Sequence, residues 1–207
     1  MVIELFGLPG AGKTTLAQAL KEKGYIIIKV ENNFELIFYN ILFILLHPYN
    51  SFVIFSYIFQ SSEDWKRFYP KFTNAFLQCN ARYQKSKFFK KALVDQGFFQ
   101  NIITIFEKKI NKDKMGRFLR SLPRLDLLIV VEADEDLRKL RLASRGYRHS
   151  KSFFEKYNTP AKVQEWEETI NYNYQLFKGM IDLVKIKYQI IHNDYLADKF
   201  KEKLTNF

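Results

Sequence analysis

The chain has 207 residues and a formal net charge of +11, with 47% hydrophobic and 27% charged residues. These values predict one soluble globular domain with room for an insertion and exclude a disordered chain. The only cysteine, Cys79, excludes an internal disulfide framework and favours a reducing, cytoplasmic location.

The first predicted elements are a strand over Val2–Phe6 and a helix from Lys13 to Lys23, which Gly24 ends. Between them, residues 7–14 read Gly-Leu-Pro-Gly-Ala-Gly-Lys-Thr and match every fixed position of the phosphate-loop pattern G-x-x-x-x-G-K-[ST]. Glycines in such a loop let backbone N–H groups approach phosphate oxygens. The pattern predicts binding of ATP and Mg²⁺ by Gly7, Pro9, Gly10, Ala11, Gly12, Lys13, Thr14 and Thr15, with Lys13 on the β and γ phosphates and Thr14 on the metal.

Four more apolar runs predict strands, and helical stretches separate them. They are Tyr25–Val30, Ala92–Asp95, Leu127–Val131 and Tyr188–Ile191. The alternation predicts an α/β protein with the P-loop NTPase fold: a five-stranded parallel sheet with helices on both faces and an arginine-bearing lid. Ligands of such sheets bind beyond the carboxyl ends of the strands, where the phosphate loop, Asp95 and Glu132 fall.

An unusually apolar stretch over residues 34–60 follows the second predicted strand and is interrupted at Pro48. Each half is too short to span a bilayer, and no basic residue occurs in it to meet a membrane surface. We therefore expect two buried or partly buried helices, within an acceptor-side helical insertion over residues 34–91, and no membrane contact. Ser61–Asp64 is predicted to open a longer helix that reaches Arg82.

Arginines cluster in one region of the chain, because seven of the nine lie between Arg117 and Arg148. Asp134 is a suitable N-cap for a helix over Glu135–Ser144, with Leu137 and Leu140 expected to face the core. On that helix, three arginines share one face and a fourth follows it; they are Arg138, Arg141, Arg145 and Arg148. Such a group indicates binding of phosphates, although a solvated basic face or a nucleic-acid partner is left open.

The order of these motifs resembles that of the nucleoside monophosphate kinases, and of thymidylate kinases in particular. The resemblance is carried by residues 6–15, by Val94-Asp95-Gln96-Gly97, and by residues 125–134 running into Arg141 and Arg145-Gly146. It implies one kinase domain over residues 1–207 with a lid over residues 145–160. It also implies catalytic roles for Lys13, Asp95, Arg141, Arg145 and Arg148, and a nucleotide contact for Arg138.

Asp95 is the candidate that would act on the acceptor. A carboxylate at the end of a strand beside a phosphate loop can hold Mg²⁺ through water and accept a proton from an acceptor hydroxyl. The alternative is that Asp95 caps a helix over Phe98–Lys108. The resemblance places Arg82 and Gln96 at the acceptor, although thymidylate kinases have arginine at the position of Gln96 and an acid at that of Phe6.

The function predicted is therefore transfer of phosphate from ATP to a small molecule such as a nucleoside, a nucleotide or a related metabolite. Three alternatives stay open: an ATPase that regulates a partner, a polynucleotide kinase, and a kinase of a lipid-linked or cell-envelope acceptor. The guanine-reading pattern Asn-Lys-x-Asp is absent from the sequence, which argues against a GTPase. A homodimer is also left open.

Overall fold

The structure, a computed structural model, describes residues 1–144, 159–184 and 186–193. Five strands form one sheet in the order β2-β3-β1-β4-β5, and every neighbouring pair is parallel. The strands are β1 (Val2–Phe6), β2 (Ile26–Ile27), β3 (Ala92–Val94), β4 (Leu127–Glu132) and β5 (Tyr188–His192). The predicted five-stranded parallel sheet is confirmed.

Helices cover both faces of the sheet. They are α1 (Lys13–Glu22), α2 (Asn33–Leu46), α3 (Pro48–Gln60), α4 (Trp65–Lys71), α5 (Cys79–Ser86), α6 (Asn101–Ile105), α7 (Lys112–Arg120), α8 (Glu135–Ser144) and α9 (Pro160–Lys178). Residues Phe72–Gln78 are π-helical, and Ile181–Val184 form a 3₁₀ turn.

Alternation along β1 divides the core between the two faces. Ile3 and Leu5 pack with α1 in a smaller core, whereas Val2 and Phe6 join the larger core beneath the other helices. Successive strand residues point to opposite faces, so a strand buried on both faces is apolar throughout. Glu4 is the exception in β1, because it is 1% exposed on the side of the larger core.

The second strand is shorter than predicted. The run Tyr25–Val30 reads as a buried strand, yet only Ile26 and Ile27 pair, and they pair with β3 alone. Because β2 is an edge strand, hydrogen bonding stops as soon as the chain leaves β3, although Ile28 still packs into the core.

The predicted long helix after Ser61–Asp64 forms with an interruption. The Asp64 carboxylate accepts a hydrogen bond from the Arg67 N–H at 2.8 Å and caps α4. The chain then widens into the π-helical segment at Phe72, two residues after Pro70, which lacks a backbone N–H. It returns to α-helical geometry in α5.

The apolar stretch forms two partly buried helices, as expected, although few of their residues are fully buried. In α2 only Asn40 and Phe43 are buried, and in α3 only Ser51, Ile54 and Ile58. Within the described residues no single helix is long and apolar enough to cross a membrane. The pair α2 and α3 reaches that length and composition only together, across a bend of 112°.

Candidate functional site: the phosphate loop and its surroundings

The phosphate loop lies at the carboxyl end of the central strand β1 and runs into the N-terminus of α1. Gly10 and Gly12 adopt φ angles of 85° and 99°, which side chains disfavour. Lys13 is the first residue of α1, and Thr14 is exposed at the same helix end. Backbone N–H groups and the helix dipole therefore converge where the pattern predicts an anionic phosphate.

Three side chains hold the loop: Lys13 of the motif itself, and Gln100 and Asn193 from elsewhere in the sequence. The Lys13 ammonium donates to the carbonyls of Gly7 at 2.6 Å and Leu8 at 3.2 Å. The Gln100 side-chain oxygen accepts from the Gly7 N–H at 3.3 Å, and the Asn193 amide donates to the Ala11 carbonyl at 2.9 Å. These bonds fix the conformation of the loop through its carbonyls and through the Gly7 N–H.

The arginines of α8 lie against this loop. Arg138 donates to the Pro9 carbonyl at 3.0 Å, and Arg141 donates to the Gly10 carbonyl at 3.4 Å and to the Asn193 carbonyl at 3.3 Å. Arg138 is only 8% exposed, and a Cβ on Gly10 would collide with it. The two guanidinium groups place positive charge next to the loop while also bracing its backbone.

The structure confirms the predicted N-cap of α8 and corrects the expected position of Leu140. Asp134 accepts from the Asp136 N–H at 3.0 Å and the Leu137 N–H at 3.4 Å, as an N-cap does. Leu140, which we expected in the core, is 69% exposed. The helix is rotated so that its arginine face meets the loop, because bonds to loop carbonyls stabilise this orientation more than burial of one leucine.

Asp95 follows β3, the strand beside β1, and is half-buried. Its neighbour Gln96 is exposed, and the Gln96 carbonyl accepts a hydrogen bond from Arg82 at 3.1 Å. The structure thus brings Arg82, Asp95 and Gln96 together at the carboxyl edge of the sheet. The alternative role of Asp95 as a helix cap is wrong, because α6 begins only at Asn101 and its N-cap residue is Gln100.

A buried carboxyl group supports the segment that carries Asp95. Glu4 Oε1 accepts from the Phe99 N–H at 2.6 Å and the Gln100 N–H at 3.3 Å. Burial raises the pKa of Glu4 to about 8, against the opposing effect of these bonds. A Cβ on Gly97 would collide with the same carboxyl group. Glu4 therefore links β1 to Gln100, which in turn contacts the first residue of the loop.

A cavity of about 540 Å³ opens beside the loop, between the ends of β4 and β5 and helices α8 and α9. Glu132 lines the cavity with two polar neighbours. Its carboxylate accepts a hydrogen bond from the Tyr174 hydroxyl at 3.0 Å and forms an ion pair with the Lys178 ammonium at 2.5 Å. The cavity wall also includes Leu8, Arg138 and His192. Desolvation and the Glu132 charge raise the Tyr174 pKa, so its hydroxyl stays a donor.

Thr14 and Asp95 have the donor chemistry that Mg²⁺ takes from a protein bound to a nucleotide. Mg²⁺ usually keeps one or two protein oxygens and completes its shell with phosphate oxygens and water. In the part of the chain that the structure describes, no group of three His, Cys, Asp or Glu side chains could hold a metal. The residues present therefore fit a metal held jointly with phosphates.

The site contains residues that the sequence patterns did not single out. Glu4, Gln100 and Asn193 touch the loop or the Asp95 segment, yet none belongs to a recognisable motif. The signal for Asn193 was its position directly after the last strand, where ligand-contacting loops occur. Arg145 and Arg148, with residues 145–158 of the predicted lid, lie outside the described residues.

Comparisons with known proteins agree with this architecture. Neither known family models nor curated proteins match the chain. Among solved structures, deoxyadenosine kinase from M. mycoides with bound dATP is similar over 100% of this chain and 98% of its own, with a TM-score of 0.57 and 17% identity. The same kinase with the products dCMP and a flexible dCDP gives a TM-score of 0.54 at 18% identity and 97% coverage of its chain.

This likeness extends over the whole chain, and the loop lies between β1 and α1, as the phosphate-loop pattern predicts. At 17% identity it shows the fold and leaves the predicted kinship with thymidylate kinases untested. The chain has the P-loop kinase fold, with a five-stranded parallel sheet.

Proposed function

We propose that the protein is a phosphotransferase that moves the γ-phosphate of ATP to a hydroxyl group of a nucleoside or a related small molecule. The observation that carries the proposal is the position of Asp95 at the end of β3, directly beside the strand that leads into the phosphate loop. An ATP-binding loop alone would fit an ATPase. A carboxylate on the neighbouring strand end, flanked by Arg82 and Gln96, adds a place for an acceptor.

The nucleotide would lie on the loop. Lys13 and the N–H groups at the start of α1 would hold the β and γ phosphates, and Arg138 and Arg141 would add positive charge from the opposite side of the loop backbone. Mg²⁺ held by Thr14 and, through water, by Asp95 would neutralise charge on the phosphate oxygens. Pro9, Ala11 and Thr15 would shape the loop around the bound phosphates.

In the transfer step, the acceptor hydroxyl oxygen forms a bond to the γ-phosphorus while the bond between that phosphorus and the β–γ bridging oxygen breaks. ADP leaves with this oxygen, and Asp95 takes the hydroxyl proton. The Asp95 segment must be rigid for this, and Glu4 and Arg82 both bond to its backbone. Arg82 and Gln96 would contact the acceptor.

A nucleoside is the acceptor that we favour. Support comes from the whole-chain similarity to a deoxyadenosine kinase. The aromatic residues of α2 and α3 are not all available to enclose an acceptor. Phe43 packs against Phe98 and Tyr83 in the core, with ring centroids 5.6 and 5.7 Å apart, and Phe52 faces solvent.

The experiment is a transfer assay with labelled ATP and a panel of deoxynucleosides, ribonucleosides and thymidylate. We expect labelled product with at least one nucleoside, and we expect Asp95→Asn to abolish transfer while calorimetry shows unchanged ATP binding. Asp113→Asn, an exposed change on α7, is the matched control. Full transfer by Asp95→Asn would reject the role of Asp95, and hydrolysis without transfer to any acceptor would reject the kinase.

A further inference from the structure

The pairing between β1 and β3 ends just before the two parts of the proposed active site. Glu4 of β1 lies opposite Val94, the last residue of β3. Beyond this pair the two chains separate, the first toward the phosphate loop at Gly7 and the second toward Asp95. Transfer between groups on two such segments depends on their alignment, because a displacement of about 1 Å can cost about a hundred-fold in rate. Contacts beyond the last paired residues therefore decide how well the site is aligned.

Two side chains join the segments beyond that pair. Glu4 Oε1 accepts hydrogen bonds from the Phe99 and Gln100 N–H groups at 2.6 and 3.3 Å. Gln100 Oε1 in turn accepts from the Gly7 N–H at 3.3 Å. These bonds form one path from β1, through the segment that follows Asp95, to the first residue of the phosphate loop. We name this path the Glu4–Gln100 bridge.

The bridge is packed tightly. Glu4 is 1% exposed, and a Cβ added to Gly97 would collide with its carboxyl group. Next to Gln100, the Asn101 side-chain amide donates to Cys79 Sγ at 2.8 Å and ties the start of α6 to α5. The segment between β3 and α6 therefore has little freedom to move relative to β1 while these contacts persist.

A carboxyl group at position 4 is costly for folding. The other residues of β1 are apolar and buried, and an apolar side chain at position 4 would avoid the desolvation of a polar group. Glu4 supplies instead a hydrogen-bond acceptor for backbone N–H groups in the turn before α6. The gain is a fixed position for the segment that follows Asp95, which indicates a role in aligning the site.

We propose that Glu4 and Gln100 are positioning residues that hold the phosphate loop and Asp95 at a fixed separation, so that the γ-phosphate passes to the acceptor hydroxyl and not to water. This inference rests on the proposed function. Neither side chain is assigned to a substrate, because both act through backbone N–H groups. Loss of the bridge should leave ATP bound but misaligned with the hydroxyl, which lowers the transfer rate and raises the share of hydrolysis.

The kinetic test compares two substitutions of Glu4 in an assay that measures both transfer and release of inorganic phosphate. Glu4→Leu has a similar size and lacks the hydrogen-bond acceptor. We expect it to lower kcat for transfer about ten- to a hundred-fold while KM for ATP changes less than about two-fold. Glu4→Gln keeps an oxygen that can accept from both N–H groups, and it should retain most of the transfer rate.

Ile3→Ala is the matched control for a purely structural effect. Ile3 is also 1% exposed, but it packs against α1 on the opposite face of β1. Its truncation should lower stability and leave the ratio of transfer to hydrolysis unchanged. If Glu4→Leu does not fold, Gln100→Ala takes its place, because it removes only the bond to the Gly7 N–H and should still lower kcat several-fold.

Hydrogen exchange measured by NMR tests the bridge without any phosphate acceptor. Glu4→Leu should speed exchange about ten-fold or more at the Phe99, Gln100 and Gly7 amides, and Gln100→Ala should do so at Gly7 alone. Ile3→Ala shows how much exchange increases through general loss of stability.

Two results would overturn the inference. One is a Glu4→Leu variant, or a Gln100→Ala variant in its place, that transfers phosphate at the wild-type rate. The other is exchange at Gly7 that neither variant changes. A wild-type protein that transfers phosphate to no acceptor would instead refute the proposed function, and exchange at Gly7 would still show whether the bridge exists.

Discussion

The phosphate loop and the exposed apolar side chains of α2 and α3 are both reached early in the chain, yet they are built in different ways. The loop is polar backbone whose carbonyls are engaged by Lys13, Arg138 and Asn193, each from a different element. The exposed apolar side chains, among them Phe34, Ile41 and Phe52, lie on helices α2 and α3, whose backbone groups are satisfied within the helices. Hydrogen-bond partners specify the structure of the loop. The apolar region is defined by the side chains that the rest of the chain leaves uncovered.

This difference shows for which groups burial can be inferred from the sequence. Around the loop, a polar group without a partner is costly, so the partners have to be present within the chain. In α2 and α3, an apolar side chain needs no hydrogen-bond partner, so one stripe of each helix can remain exposed to another molecule. Substitutions in the loop should therefore alter phosphate transfer. Substitutions on the buried side of α3 should lower stability more than substitutions on its exposed side.

The largest effect should come from the loop itself. Lys13→Ala removes the ammonium that the proposal places on the β and γ phosphates, and we expect phosphate transfer to fall by about 10²- to 10³-fold, as on loss of one charge-stabilising donor. Lys21→Ala, in the last turn of the same helix, is the control. Steady-state assays measure both, and equal rates in the two variants would remove Lys13 from the mechanism.

The second prediction compares the two stripes of α3. Ile54 is 0% exposed and Phe52 is 71% exposed. Ile54→Ala should lower the free energy of unfolding by about 2 to 5 kcal/mol through lost burial and a cavity. Phe52→Ala should lower the free energy of unfolding by less, in samples dilute enough to be monomeric. Urea denaturation of both variants checks this, and equal losses would mean that Phe52 is packed within its own chain.

The third prediction concerns the pH dependence that Glu4 imposes. Burial raises its pKa from 4.5 to about 8, so the unfolded chain releases this proton at lower pH than the folded chain. The Glu4 contribution to stability is therefore largest at low pH and falls as pH rises from about 4.5 to about 8.

Glu4→Gln keeps the acceptor for the Phe99 N–H and removes the titration. The stability difference between variant and wild type should grow in favour of the variant, by a few kcal/mol, from about pH 5 to about pH 8. Thermal unfolding at both pH values measures it. A difference that does not change with pH would show that Glu4 is ionised in the folded protein.

The smallest effect should come from α8. Arg138→Ala removes the brace on the Pro9 carbonyl and one positive charge, and we expect about ten-fold weaker ATP binding, the value of one charged hydrogen bond. Leu140→Ala, on the exposed side of the same helix, should leave ATP affinity unchanged. Isothermal calorimetry compares them. Loss of affinity in Leu140→Ala alone would mean that the helix is oriented differently when nucleotide binds.

Much of this architecture follows from patterns in the sequence. The loop motif and the apolar runs predict the parallel sheet, because strands buried on both faces are apolar throughout. The N-cap Asp134 predicts the start of α8 correctly. The exposure of α2 and α3 does not follow, since apolar periodicity is the same whether a stripe is covered by its own chain or by another.

Long-range partners are equally hidden from sequence reasoning. Asn193 and Ala11 are 182 residues apart, and Glu4 and Phe99 are 95 apart. Neither pair shares a motif, and only the strand order β3-β1-β4-β5 brings them together. The rotation of α8 was missed for the same reason, because its arginines bond to carbonyls of a loop more than 120 residues earlier.

The most direct test of the central claim is the fate of the γ-phosphate of labelled ATP in the presence of deoxynucleosides. The account predicts that wild-type protein places the label on a nucleoside hydroxyl, and that little appears as inorganic phosphate. Label that accumulates only as inorganic phosphate, at a rate unaffected by any nucleoside, would contradict it and identify the protein as an ATPase.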